Sequence, residues 1–298
     1  MPLRTEPAII AAAEAGDDTE PNGFSAGEAP KKEEGEIRMF EGVHEQLSGV
    51  SAYLERIGMQ TAPEPTIEAL DKLIYAHLTH VPYENLTYSV EKRCPDLTTE
   101  ALFEKIVVRK RGGYCFELNG LFFSLLQALG FDVYPVACRM WLGLGQLPVG
   151  HRASIVTIEG EKYFADVGAS GMAGLHAVPY HGKNAEGVFI RPEGHELGVY
   201  REKDGEETLL ISYIDSYFDP VDFVPLNYYC AVGPAAWDRP DPIVSMTTAD
   251  GACSLEGSVL KIHSAGSVQE TILKDDAAFR EALKRVFGIV LDGDDGFR

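Results

Sequence analysis

From Met39 to about Leu129 the apolar positions recur with a helical period. Val50, Tyr53, Leu54 and Ile57 share one helix face, and Ile67, Leu70, Leu73, Ile74, His77 and Leu78 share a face of a longer helix. Thr99 to Val108 reads as a further helix with Thr99 as its N-cap. The next helix begins after Arg111-Gly112-Gly113-Tyr114 and runs from Cys115 to Leu129, where Gly130 suits a left-handed C-cap. Beyond Gly130 the period changes to two. Phe131–Met140, Ala153–Ile158, Tyr163–Val167, Val188–Ile190, Gly198–Arg201 and Thr208–Tyr213 read as short strands joined by Gly-rich turns, the pattern of a small β-barrel or sandwich. Pro220–Val232 reads as a partly helical connection. Strand signals return at Ser258–His263 and Ser267–Leu273, and a helix follows from about Asp276 to Phe287. Helices, then strands, then a mixed portion argue for an α+β fold with segregated elements and against a doubly wound sheet.

The 298 residues are 45% hydrophobic and 24% charged, which is the composition of a soluble globular protein with room for a sizeable core. Residues 1–38 stand apart as a disordered acidic tail: within the first 36, nine acidic residues face only Arg4, Lys31 and Lys32. The run Ala8–Ala13 is too short for a signal segment, and nothing in the chain is expected to enter a membrane. A formal charge of −20 argues against nucleic acid as a partner. It also obliges any anionic small molecule to be held by backbone N–H groups or by a local basic cluster. Five widely spaced cysteines with no C-x-x-C pair point to a reduced, cytoplasmic protein rather than a disulfide framework or a zinc site. His195 has no second histidine four residues on, so no metal is expected there either.

Candidate chemistry begins at Cys115. Two glycines let the backbone turn sharply before it, and the first turn of the following helix aims its N–H groups and positive dipole end at the sulfur, a placement that favours a thiolate. A nucleophilic cysteine needs a base and an orienter. His151 opens an apolar strand, and Asp166 ends the return strand after Glu159-Gly160-Glu161. If the hairpin folds about the Ile158–Glu159 bond with Gly160 in a bulged loop, paired positions sum to 317 and His151 lies directly opposite Asp166. A tight turn on Gly160-Glu161 gives a sum of 321 and separates them, so the functional reading demands the first register. Three functions use such a set: acyl transfer, Cys-His-Asp hydrolysis of the transglutaminase-like peptidase kind, or, if the site is dead, binding alone.

The run Arg111-Gly112-Gly113-Tyr114-Cys115-Phe116-Glu117-Leu118-Asn119 resembles the signature of the arylamine N-acetyltransferases, a Cys-His-Asp family. The resemblance continues through His80-Val81-Pro82-Tyr83-Glu84-Asn85-Leu86, then His151 and Asp166, then Asp222-Phe223 and Asn227. It implies a helical bundle with the cysteine (39–130), an antiparallel β-barrel with the histidine and aspartate (131–219), and a linking segment with an α/β lid (220–298). It also implies ping-pong transfer from acetyl-CoA or another acyl-CoA to a small-molecule amine, with no permanently bound cofactor. Arg111 and Glu117 are then expected to pair beneath the site, and Asn119 to tie the turn to a neighbouring segment. Tyr83 and Tyr114 are placed in the substrate pocket, Tyr83 where the family commonly has Phe. Gly168, Ala169, Ser170 and Gly171 are candidates for a backbone cradle for the CoA pyrophosphate, with Lys183 or Lys261 as possible basic helpers. The stretch lacks the spacing of an ATP or NAD loop. Where the family usually has Val-Gly-Phe-Gly after the aspartate, this chain has Val167-Gly168-Ala169-Ser170, which opens space beside the thiol.

Overall fold

A computed structural model describes residues 42–43, 46–141, 147–233 and 241–291. The expectation of a disordered tail over residues 1–38 lies outside the described residues. The helical portion comprises α1 (Val50–Arg56), α2 (Ile67–His80), α3 (Leu86–Ser89), α4 (Thr99–Phe103), a π-helical turn over Glu104–Val108, and α5 (Cys115–Ala128). The apolar stripe of α2 is buried as its period requires, from Ala69 and Leu70 through Leu78. Thr98, not Thr99, caps α4: its hydroxyl accepts the Ala101 N–H at 3.3 Å, so the cap sits one residue earlier than expected. Helix α5 is buried on nearly all sides, which makes it the central rod of the largest hydrophobic cluster.

The second portion is a seven-stranded antiparallel sheet. It contains β2 (Asp132–Met140), β3 (His151–Ile158), β4 (Glu161–Ala165), β5 (Val178–Pro179), β6 (Val188–Glu193), β7 (Glu196–Lys203) and β8 (Glu206–Tyr213). Its order is β5-β4-β3-β2-β8-β7-β6, and its two end strands come together, so the sheet curls into a nearly closed barrel. The β3–β4 hairpin takes neither register considered above. Ser154 pairs with Ala165 and Ile158 with Glu161, so paired positions sum to 319. The reason is local: Glu159 (φ 52°) and Gly160 (φ 86°) are both left-handed, forming a two-residue turn whose twist matches the strands.

The third portion is a five-stranded sheet ordered β1-β9-β10-β11-β12, where β1 is Tyr83–Glu84 and the rest are β9 (Ile243–Thr248), β10 (Gly251–Glu256), β11 (Val259–Ser264) and β12 (Ser267–Ile272). Strands β9 and β10 add to the two expected there. Helix α6 (Phe223–Val232) connects barrel and lid. Helix α7 (Asp276–Ala282) and the π-helical turn after it cover the lid sheet with Phe279, Leu283 and Phe287. Because β1 belongs to the helical stretch yet pairs with β9, the lid is stitched to the segment just before the cysteine loop.

Candidate active site

The site starts from a close backbone contact. A Cβ at Gly112 would run into the Pro82 carbonyl oxygen, so only glycine lets this segment lie flush against Pro82–Glu84. Glu84 N–H donates to the Gly113 carbonyl at 2.8 Å, and α5 begins two residues later. Glu117, in the first turn, accepts the Tyr114 N–H at 3.1 Å and thereby fixes the entry angle that sets Cys115 at the helix start.

Arg111 does not pair with Glu117. It lies against Glu84, at 2.9 and 3.0 Å, and against Glu91 at 2.8 Å, while Glu117 is bound by Lys105 at 2.7 Å. The exchange is physical: Glu117 is committed to the helix start, and β1 brings Glu84 to the guanidinium instead. Burial pushes the Glu84 carboxyl up, but Lys105 and Arg111 together hold it below the ordinary carboxylate range. Glu117 has Lys105 without the guanidinium, and burial prevails there, raising it.

His151 and Asp166 meet although they are not opposite one another. Asp166 lies just past the end of β4, on the same sheet face as His151 but two positions along, and its Oδ2 is 2.7 Å from His151 Nε2. Shifting the hairpin by two residues preserves the face, so a diagonal pair serves where a direct one was expected. Asp166 is clamped by α5: its Oδ1 accepts from Asn119 Nδ2 at 2.8 Å and from the Gly168 N–H at 2.7 Å, and Asn119 Oδ1 accepts from Val167 N–H at 2.9 Å. Asn119 also donates to the Arg152 carbonyl, so one amide ties the helix to both strands.

Burial pushes the His151 imidazole down, but the Asp166 charge and hydrogen bond, aided by Cys115, raise it to about 10. Asp166, pushed up by burial, is held low chiefly by His151. Cys115 is near enough to the imidazole to help raise it, and its S–H is directed at the Gly150 carbonyl oxygen, 3.8 Å away. A Cβ at Gly168 would stand 2.7 Å from Cys115 Cα, so glycine is needed for this loop to close on the helix start.

These groups open into a cavity of about 260 Å3. Tyr83 and Tyr114 line it, and burial raises both hydroxyls; the Tyr114 hydroxyl donates to Asn227. Gly168, Ala169 and Ser170 reach it and Gly171 does not. The Gly168 N–H is already used by Asp166, which leaves it no donor for a pyrophosphate. Lys183 and Lys261 are paired with Glu202 and Glu270 and do not line the cavity. Sequence reasoning missed Tyr88, Met140, Gly150, Met172 and Cys230. Cys230 was within reach of it, since it lies one helical turn from Asn227. A larger hollow of about 490 Å3 between Leu47, Gln127, Phe131 and Val133 has neither Cys nor His among its described lining residues. Among the described residues no group of three or more His, Cys, Asp and Glu is placed to hold a metal.

Residues 66–296 match the N-acetyltransferase family model. The arylamine N-acetyltransferase of Mycobacterium tuberculosis is 30% identical over 258 residues, covering 80% of this chain and 89% of the relative. This chain belongs to the arylamine N-acetyltransferase family. The arylamine N-acetyltransferase structure from Salmonella typhimurium superposes with a TM-score of 0.76 at 28% identity, over 85% of this chain and 96% of that one. The Mycobacterium marinum arylamine N-acetyltransferase, solved in complex with CoA, superposes at 0.72 and 27% identity, over 80% and 92%. The α+β fold with its barrel is therefore the arylamine N-acetyltransferase fold, and the chain is an acetyltransferase-type enzyme. That membership does not favour the hydrolase reading.

Proposed function

We propose that the chain moves an acyl group, acetyl foremost, from acyl-CoA to a weakly basic aromatic amine or hydrazine through a thioester on Cys115. The observation that carries this reading is the line Cys115, His151, Asp166, with Asp166 on Nε2 and the other ring nitrogen left for the sulfur. Cys115 as thiolate attacks the thioester carbonyl, and the tetrahedral intermediate expels CoA thiolate, which leaves as the thiol with the His151 proton. The free amine then attacks the acyl-enzyme, His151 accepts its proton, and the sulfur departs as thiolate, restoring the ion pair. Asp166 keeps the imidazole in the tautomer and orientation both steps need.

The acceptor is limited by its own basicity. An alkylamine resembling lysine, with a pKa of about 10.4, is almost wholly protonated at neutral pH and has no lone pair to offer, whereas aromatic amines are neutral there. Tyr83, Tyr88 and Tyr114 with Met140 and Met172 give the cavity flat, polarizable walls that suit a ring. The CoA complex of the M. marinum relative supports CoA as the carrier. Mass analysis of the intact chain after acetyl-CoA treatment tests the proposal. One acetyl group on Cys115, absent from Cys115→Ala and discharged by an arylamine, is the expected result; no adduct, or one elsewhere, overturns it.

A further inference from the structure

A second thiol shares the cavity. Cys230, carried on α6, lies 3.9 Å from the Gly150 carbonyl oxygen, the same atom that stands 3.8 Å from the Cys115 sulfur. The gap between the two sulfurs cannot exceed those distances laid end to end, and both face one solvent-connected space. A Cβ at Gly150 would be 3.2 Å from the Cys230 sulfur, so this thiol packs close against the bare Cα of Gly150. The other cysteines are differently placed. Cys138 is sealed in the barrel core with its S–H on the Val136 carbonyl, Cys253 lies under the lid, and Cys94 is exposed against Asn227.

We propose that Cys230 is a resolving thiol that captures an oxidised Cys115 as a reversible Cys115–Cys230 disulfide. The proposal rests on Cys115 being the reactive sulfur of the reading above. A hydroperoxide transfers one oxygen to the Cys115 thiolate, which becomes a sulfenic acid while the peroxide leaves as hydroxide or alkoxide. The Cys230 sulfur then bonds to the Cys115 sulfur, the sulfenic S–O bond breaks, and the oxygen leaves as water with the Cys230 proton. The two sulfurs together lose two electrons and the peroxide gains them. An external dithiol reverses the bond by exchange and frees the nucleophile.

The division of labour follows from environment. Burial, with the Cys115 sulfur beside it, pushes the Cys230 thiol up to about 12, so it stays protonated and unreactive toward oxidant until a sulfenic acid forms next to it. Capture competes with a second oxidation of Cys115 to the sulfinic acid, which dithiols do not reverse. The link closes the acyl site while it lasts and preserves the sulfur for later use.

The experiment treats the full chain with hydrogen peroxide in the absence of other thiols, then maps peptides by mass and follows each variant's activity relative to its own untreated rate. The parent is expected to lose two thiols, yield a peptide joining Cys115 to Cys230, and regain nearly all activity with dithiothreitol. Cys230→Ser is expected to gain two oxygens on Cys115 and to regain little, whereas Cys94→Ser behaves as the parent. Full recovery of Cys230→Ser, no link, a link to Cys94, or a link between chains overturns the proposal. The peptide map needs no turnover, so a chain that forms the link yet takes no acetyl group on Cys115 overturns the transfer reading alone.

Discussion

At the scale of single residues, the site depends on one carboxylate outweighing burial. In the unfolded chain a histidine titrates near 6.5. Folding raises His151 to about 10, so its contribution to stability is complete below pH 6.5 and disappears as pH climbs through about 10. Asp166 is depressed, and its contribution is present above the ordinary carboxylate range and lost as pH falls through its folded value. The rate of enzyme acylation, followed in a single turnover, is therefore expected to hold up to the region of pH 10. In Asp166→Asn only Cys115 is left to oppose burial at the imidazole, and the alkaline limb is expected well below pH 10; an unmoved limb contradicts the assignment. Ala169 makes a second residue-scale case. It lies on the cavity wall beside Cys115, and the family's usual aromatic ring would fill that volume. Ala169→Phe is expected to lower turnover of propionyl- and malonyl-CoA more than that of acetyl-CoA, read as the ratio of kcat/KM values; identical ratios would remove any role for the extra space.

At the scale of elements, the loop before α5 stands on buried charge. Arg111 is nearly fully buried and neutralises Glu84 and Glu91 at once. Removing Arg111 leaves buried Glu84 to Lys105 alone and Glu91 to the exposed Arg93, at a cost of up to about 3–5 kcal/mol. Arg111→Leu is expected to lose that much in urea unfolding, and a change under 1 kcal/mol would show the cluster to be idle. This cluster was only half legible in the sequence. The glycine pair and the helix beginning at Cys115 could be read from local pattern, but which acid meets Arg111 depends on β1, a two-residue strand too short to show a period. The hairpin teaches the same lesson. Its two strands and the shared face of His151 and Asp166 were evident from alternation, while the register turned on whether Glu159 would accept a left-handed backbone beside Gly160. Strand β10 carried a signal in its alternating buried Cys253 and Leu255, whereas β9 buries Val244 alone and Gly251 lies inside β10, so neither marked the hairpin clearly.

At the scale of the whole molecule, charge opposes the proposed donor. The chain carries −20, of which the acidic and basic residues of the first 36 account for −6, leaving −14 on the remainder. Among the described residues no Lys or Arg lines the cavity, and Lys183 and Lys261 are already met by glutamates. A CoA thioester, with its phosphates, therefore approaches a like-charged body whose described cavity residues include no basic cluster to reverse the field locally. Salt shortens the reach of that repulsion from about 30 Å at 0.01 M to about 8 Å at 0.15 M. We expect kcat/KM for acetyl-CoA to rise severalfold between those ionic strengths, the reverse of the usual loss of attractive steering. An uncharged acetyl thioester or aryl acetate, acting on the same sulfur, should show no such rise, which separates encounter from chemistry. A fall with salt for acetyl-CoA alone would instead reveal a cationic site for its phosphates outside the cavity wall.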